Sequence, residues 1–216
     1  MELTQLNLQN LRQDYRMASL SESDVAADPI LQFQKWFSEA VNAKLYEPNV
    51  MTFATADSDG KPSARIVLLK GFDEQGFVFY TNYESKKAQD LVEDPQAALV
   101  FFWAELERQV RIEGIVSKVD KEISEAYFQS RPTGSQIGAI ASAQSSVLTD
   151  RSILEERVAE LTAQYEGKTI PKPEHWGGYL VEPNHIEFWQ GRSSRLHDRI
   201  TYDYTDGSWK INRLAP

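Results

Sequence analysis

Short apolar runs separated by turn residues dominate the chain. Residues 50–56 predict a strand, and Asp57-Ser-Asp-Gly60 a turn. Arg65-Ile-Val-Leu-Leu-Lys70 is apolar in the middle and cationic at both ends. Gly71 to Gly76 reads as a turn and Phe77 to Thr81 as the returning strand, so an antiparallel hairpin is expected here. Further strands are expected at 97–103, 108–119, 177–182, 185–190, about 195–204 and 208–213, with Asp206-Gly207 closing the last hairpin. Asp28-Pro29 opens a helix that carries Ile30, Phe33, Phe37 and Val41 with Trp36 and Ala40 on one stripe and ends near Tyr46. Ser85 opens a second helix, which Pro95 stops, and Asp120 a third, ended by Pro132. Residues 135–142 form a short helix of small residues. Residues 149–164 form an amphipathic one with Ile153, Leu154, Val158 and Leu161 on one side.

Nine strands with short connections force antiparallel neighbours. Alternating βαβ units are absent, which argues against doubly wound and TIM folds. The expected class is α+β, mostly β: a closed or nearly closed antiparallel barrel with peripheral helices. Residues 1–27 are polar with scattered Leu and read as a mobile arm with one short helix. No linker-like stretch divides 28–216, which reads as a single domain.

Composition narrows the chemistry. The 216 residues contain no cysteine, which removes thiol nucleophiles, disulfides and cysteine-ligated metals; redox work requires an organic cofactor. A net charge of −9 opposes non-specific nucleic-acid binding and makes local Arg/Lys clusters informative. No apolar run spans a membrane and no signal peptide opens the chain, so the cytoplasm is the expected compartment. His175, His185 and His197 lack metal-ligand spacing, and dinucleotide, P-loop and nucleophile-elbow motifs are absent.

Four cationic stretches remain. In an extended strand Arg65 and Lys70 point to opposite faces, roughly 16 Å apart. Two anionic groups near the hairpin follow, although on these residues alone an edge strand with solvated charged ends is the plainer reading. Lys86 and Lys87 fall in the first turn of their helix, where the dipole disfavours cations and welcomes an anion between them. Tyr127 and Arg131 share a helical face, with Ser135 just past the break, a set suited to a phosphate monoester; a surface Tyr–Arg stack is the plainer reading. Finally, if 195–199 is extended, Arg195, His197 and Arg199 share one face near Trp189. They then require an anionic or electron-rich ligand, or carboxylate partners elsewhere.

Together these stretches resemble the pyridoxamine 5′-phosphate oxidase family. The matching blocks include Leu11-Arg-Gln-Asp-Tyr15, Arg65 to Lys70, Phe79-Tyr-Thr-Asn82, Leu106-Glu-Arg-Gln-Val110 and Tyr127-Phe-Gln-Ser-Arg-Pro132. They continue with Ser135-Gln-Ile-Gly138, Gln144-Ser-Ser146, Trp176-Gly-Gly178, Ile186 to Gly191, Arg195-Leu-His-Asp-Arg199 and the terminal Trp209 to Pro216. The resemblance implies an FMN-binding split barrel and a homodimer with each FMN between subunits. It implies that Arg65, Lys86, Lys87 and Ser145 hold the FMN phosphate. Ile66, Val67, Leu68, Leu69, Lys70, Tyr80, Thr81, Gln109, Gln144, Trp189 and Arg199 would shape the rest of the flavin site. Lys70, Tyr127, Arg131 and Ser135 would hold the substrate phosphate. Arg195, Leu196 and His197 would lie at the substrate, with Arg195 and His197 as the catalytic pair, and Arg12, Gln13, Asp14 and Tyr15 would close over it.

The activity so implied is oxidation of pyridoxamine 5′-phosphate or pyridoxine 5′-phosphate to pyridoxal 5′-phosphate. A hydride passes from C4′ to flavin N5, and O2 then takes the electrons to give H2O2. Lys86 stands where many members carry Arg, which keeps the charge but loses a bidentate contact. Gln13 and Asp14 also depart from the usual residues of their motif. Two other classes share parts of this pattern: another split-barrel flavoprotein, such as a flavin reductase, and a non-catalytic flavin or B6-phosphate carrier.

Overall fold

The computed structural model describes residue 11 and residues 13–216. Among them the chain forms nine strands and five α-helices: α1 (Pro29–Asn42), β1 (Val50–Ala56), β2 (Pro62–Leu68), β3 (Gly71–Asp73), β4 (Gly76–Asn82), α2 (Lys86–Glu93) and β5 (Gln96–Trp103) come first. Next are β6 (Arg108–Lys118), α3 (Lys121–Ser130), α4 (Thr133–Ala141), α5 (Arg151–Gln164), β7 (Trp176–Gln190), β8 (Asp198–Thr205) and β9 (Ser208–Leu214). The sheet order is β2-β1-β5-β6-β7-β4-β3, with β8 beside β7 and β9 beside β8.

The expected hairpin of 65–70 with 77–81 is corrected. β2 pairs antiparallel with β1, Arg65 opposite Phe53, across the Asp57–Gly60 turn. The strand that turns onto β4 is the short β3, with Asp73 opposite Gly76. Asp57 explains the first turn: its Oδ1 accepts from the N–H groups of Asp59 and Lys61 at 3.2 and 2.9 Å. The expected strands at 177–182 and 185–190 are one strand, β7. It pairs with β4 over Trp176 to Val181 and with β8 over His185 to Gln190. Pro183, which lacks an N–H, sits in the gap between the two pairings, where β7 donates to neither partner.

The chain forms two compact units. One holds Val100–Ile112, His185–Pro216 and the described residues up to Pro48. Its core sets α1 on strands: Phe33 meets Phe101 at 5.1 Å, Trp36 meets Phe188 edge-on at 5.2 Å, and Phe188 meets Tyr202 at 5.6 Å. Asp28 caps α1 by accepting from Ile30 and Leu31 N–H. The helix stops at Asn42, short of Tyr46, and the apolar stripe is narrower than expected, with Val41 exposed.

The other unit holds Asn49–Leu99 and Glu113–Asn184. Met51, Phe53, Phe77, Phe79, Leu99 and Val181 are buried in it. A second apolar cluster, of Phe128, Ile137, Leu161, Ile170 and Trp176, joins α3, α4 and α5. In α5 only Leu161 of the expected apolar set is fully buried, and Ile153 is exposed.

Candidate active site

The Asn49–Leu99 and Glu113–Asn184 unit contains a cleft of about 870 Å³. β2 and the segment after it contribute Arg65, Ile66, Val67, Leu68 and Lys70, and β4 contributes Tyr80 and Thr81. Lys86 and Lys87 come from the start of α2, and Gln144 and Ser145 from the loop after α4. Tyr127, Arg131 and Ser135 also line it. Leu69 does not: its side chain is buried, and its N–H bonds the Asn49 carbonyl. Arg65 and Lys70 share this one cleft. The alternation that sends them to opposite faces applies only within a strand, and β2 ends at Leu68.

Lys87 is buried, yet its ammonium donates only to uncharged oxygens. These are Thr81 Oγ1 at 3.2 Å, Ser85 Oγ at 3.1 Å and Gln144 Oε1 at 2.9 Å. Burial, and secondarily the Arg65 charge, lower its pKa to about 8. Arg65 is fixed by Thr55 Oγ1 at 2.8 Å, Ser63 Oγ at 2.5 Å and the Phe53 carbonyl at 3.2 Å. Beneath it lies Asp90, 1% exposed, which accepts from Thr55, Ser63 and Lys86 and stands 3.9 Å from Arg65. Lys86 also approaches Asp57 at 3.8 Å, so Arg65 and Lys87 supply the positive charge left over for an anion. Ser85 precedes α2 without a side-chain cap bond, and the helix presents its positive end at the same place.

A second cationic group lines the cleft. The Arg131 guanidinium lies 4.6 Å from the Trp176 ring centroid, and its buried Nη1 has no hydrogen-bond partner. Burial lowers its pKa from the ordinary arginine value. Tyr80 and Tyr127 stack at 3.8 Å, and Tyr80 stacks on Trp176 at 5.5 Å, which fixes this wall. A buried guanidinium N–H without an acceptor costs about 1–3 kcal/mol unless an acceptor arrives.

The remaining candidates lie in the other unit, and none lines this cleft. Gln109 is on β6, and Trp189 on β7. His197 lies 4.5 Å from Trp189, and Tyr15 is 5.8 and 5.9 Å from these two rings. His197 Nδ1 accepts from the Arg192 N–H at 3.1 Å; burial and the Arg195 charge lower its pKa. The extended run expected at 195–199 is corrected. Ser194 and Arg195 adopt φ of 56° and 62° in a tight turn, and β8 begins only at Asp198. Arg195, His197 and Arg199 therefore do not alternate along one strand. Arg199 makes a bidentate pair with the buried Glu187, at 2.7 and 2.9 Å, which answers one of the three charges with a carboxylate. Arg195 and Leu196 are exposed, as are Gln13 and Asp14; Arg12 lies outside the described residues.

Sequence reasoning missed Asp90, Glu187 and Trp176. Trp176 stands inside the Trp-Gly-Gly block, and Asp90 four residues after Lys86; either spacing would have served as a signal.

Residues 37–165 match the family model described as pyridoxamine 5′-phosphate oxidase, and residues 176–216 match the pyridoxine 5′-phosphate oxidase C-terminal dimerisation region. The chain belongs to the pyridoxamine 5′-phosphate oxidase family. A protein of Acaryochloris marina named pyridoxine/pyridoxamine 5′-phosphate oxidase is 61% identical over 213 residues, 99% of this chain and 97% of that protein. One of Cupriavidus pinatubonensis with the same name is 59% identical over 210 residues, 97% of this chain and 99% of that protein. Among solved structures, PhzG from Burkholderia lata, in complex with tetrahydrophenazine-1-carboxylic acid, is 31% identical with a TM-score of 0.89, covering 94% of this chain and all of that one. A pyridoxamine 5′-phosphate oxidase-related FMN-binding protein from Nostoc punctiforme shares the fold at 18% identity and a TM-score of 0.67, over 85% of this chain and 97% of that one.

The split-barrel expectation therefore holds, and this member of the pyridoxamine 5′-phosphate oxidase family is an FMN-dependent oxidoreductase and a homodimer. The residues fit the flavin. A mononucleotide needs one strong phosphate site beside an apolar strand, and Arg65 and Lys87 next to Ile66, Val67 and Leu68 are a set that could hold it. No helix among the described residues is long and apolar enough to cross a membrane.

Proposed function

We propose that this enzyme oxidises pyridoxamine 5′-phosphate and pyridoxine 5′-phosphate to pyridoxal 5′-phosphate, with O2 as final acceptor and H2O2 as product; the alcohol gives the aldehyde directly, and the amine gives an imine that water hydrolyses to the aldehyde and ammonia. The observation that carries this reading is the pair of separate cationic groups in one cleft. Lys87 is a buried cation among neutral oxygens, and Arg131 is a buried donor without an acceptor. One phosphate satisfies the first and a second phosphate the second, as a flavin mononucleotide and a phosphorylated substrate require. FMN, when bound, supplies a two-electron acceptor that O2 can regenerate.

The chain's own residues bind and orient. Arg65 and Lys87 hold the flavin phosphate, and Asp90 keeps Arg65 in place through Ser63 and Thr55. Arg131, Lys70, Tyr127 and Ser135 hold the substrate phosphate, and the Trp176 stack fixes the guanidinium plane. Gln109, Trp189, Arg195, His197 and Arg199 would reach the flavin or the substrate if each FMN is held between the two subunits of the dimer. Arg195 is permanently charged and favours the neutral substrate amine, the form able to release hydride. His197, with its lowered pKa, stays mostly neutral near pH 7 and offers a hydrogen bond without adding charge. Tyr15 packs on both rings and excludes water from them.

Incubation with pyridoxamine 5′-phosphate in air, following aldehyde and peroxide together, tests the proposal. Equimolar appearance of both is expected; flavin reduction by a nicotinamide alone, or binding without turnover, would replace it with the reductase or the carrier.

A further inference from the structure

A dense polar knot lies beside the His197 cluster and takes no part in the chemistry above. Arg213, on β9, makes a bidentate pair with Glu22, Nε to Oε1 and Nη2 to Oε2 both at 2.9 Å. Its Nη2 also donates to the Leu20 carbonyl at 3.0 Å, and its Nη1 to Asp198 Oδ1 at 2.9 Å. Asp198 Oδ2 in turn accepts from the Leu20 N–H at 3.0 Å, and the Leu20 side chain is buried. One arginine and one aspartate thus grip both backbone groups of Leu20 and the carboxylate of Glu22. Asp198 directly follows His197 in the chain.

The gripped residues belong to the segment that carries Tyr15. Between the knot and Tyr15 stands one further tie, from the Met17 N–H to Glu107 Oε2 at 2.9 Å. Tyr15 itself rests on Gly191, where an added Cβ would lie 2.8 Å from its ring, and on the Trp189 and His197 rings. The segment from 13 to 19 has no helix or strand of its own to hold it. The position of Tyr15 is therefore set by its own packing and by anchors further along the chain.

We propose that Arg213, through Glu22, Leu20 and Asp198, is a positioning residue that holds the Tyr15 segment over Trp189 and His197. A single exposed ion pair holds little, but a planar fork with several fixed acceptors is pre-organised, and lysine cannot reproduce it. The consequence for function rests on the oxidase reading, in which Tyr15 and His197 face the substrate. The consequence for His197 does not. Burial lowers its pKa, together with the Arg195 charge, and Tyr15 and Trp189 are the rings packed on it.

The test uses Glu22→Ala and Arg213→Lys, alone and each combined with Tyr15→Ala, in the full-length dimer. The His197 ring is titrated by NMR without substrate, and the dissociation constant for pyridoxal 5′-phosphate is measured on the FMN-loaded protein. Each single variant is expected to raise the His197 pKa toward the ordinary histidine value and to weaken pyridoxal 5′-phosphate about three- to tenfold. In the Tyr15→Ala background neither substitution should change anything further, because the residue it positions is gone. If Glu22→Ala and Arg213→Lys leave the His197 titration unmoved, or shift it equally with and without Tyr15, the positioning role is overturned. An inactive wild-type protein with the expected His197 shifts would instead count against the oxidase reading alone.

Discussion

The Nζ of Lys87 donates to Oε1 of Gln144 at 2.9 Å, across 57 residues of chain. A cation at the buried start of α2 is thereby joined to an exposed loop residue, and both line the cleft. Thr81 Oγ1 completes the triangle, 3.0 Å from the same Gln144 oxygen. A phosphate arriving here replaces neutral acceptors with charged ones and turns a desolvated lysine into a strong ligand.

Lys87→Ala should release FMN. Losing one charge-assisted hydrogen bond costs about 1.5–3 kcal/mol, so FMN affinity should fall roughly ten- to a hundredfold. Quenching of flavin fluorescence on titration into stripped protein measures it, and an unchanged constant would remove Lys87 from the phosphate site.

The same lysine makes a pH prediction. Its pKa in the flavin-free protein is lowered to about 8, whereas the unfolded chain keeps the ordinary lysine value. Between the two the unfolded state holds more protons, so flavin-free stability should rise with pH across that window. FMN affinity should move the opposite way, falling as the pH rises past 8 and the cation is lost. Lys87→Met should flatten both trends, as thermal unfolding of stripped protein and FMN titrations on either side of that pH would reveal.

Arg131→Ala should weaken pyridoxal 5′-phosphate roughly ten- to a hundredfold and leave FMN content nearly normal. Lys70→Ala should follow Arg131→Ala. Arg131→Lys should recover only part of the loss, because an ammonium keeps the charge but not the planar stack on Trp176. Equal loss of FMN in Arg131→Ala and Lys87→Ala would merge the two phosphate sites into one.

Asp90→Asn should destabilise the protein and loosen FMN together. The carboxylate is buried and accepts from Thr55, Ser63 and Lys86; its bonds to these three outweigh burial and hold its pKa below the usual carboxylate value. The amide cannot accept from all three with both positions, so a cost of about 1–3 kcal/mol is expected. For Asp90 itself, stability is present above the unfolded carboxylate pKa and is lost as pH falls through the lower folded value. Urea unfolding of the wild type and Asp90→Asn, at neutral and acid pH, should show the gap between them closing in acid.

Much of this was legible in the sequence because the signals were local. Asp28-Pro29, Ser85 ahead of Lys86, and Asp206-Gly207 each mark an end that the structure keeps within a residue or two. What failed was the choice between two equally local partners. The 65–70 strand has a candidate on either side, 50–56 across the Asp57–Gly60 turn and 77–81 across Gly71 to Gly76; the structure pairs it with β1. The break expected between 182 and 185 is not there: Pro183 stands within β7, where the strand changes partners. Within the candidate site, cations were visible from their contrast with the acidic background. Glu187 was invisible for the same reason, as one buried carboxylate among 32 acidic residues, and Asp90 was marked only by its spacing from Lys86.

Two glycines close to that proline set a limit on inheritance. A Cβ on Gly76 would sit 2.1 Å from the Val181 carbonyl oxygen, and one on Gly114 equally close to that of Glu182. Both obstacles are backbone, which has no rotamer to turn aside, and Gly76 adds a φ of +142°. In a collection of defective alleles, changes at either glycine should therefore surface as missing protein, whereas Arg131 alleles should accumulate normally, stay yellow and fail only on substrate.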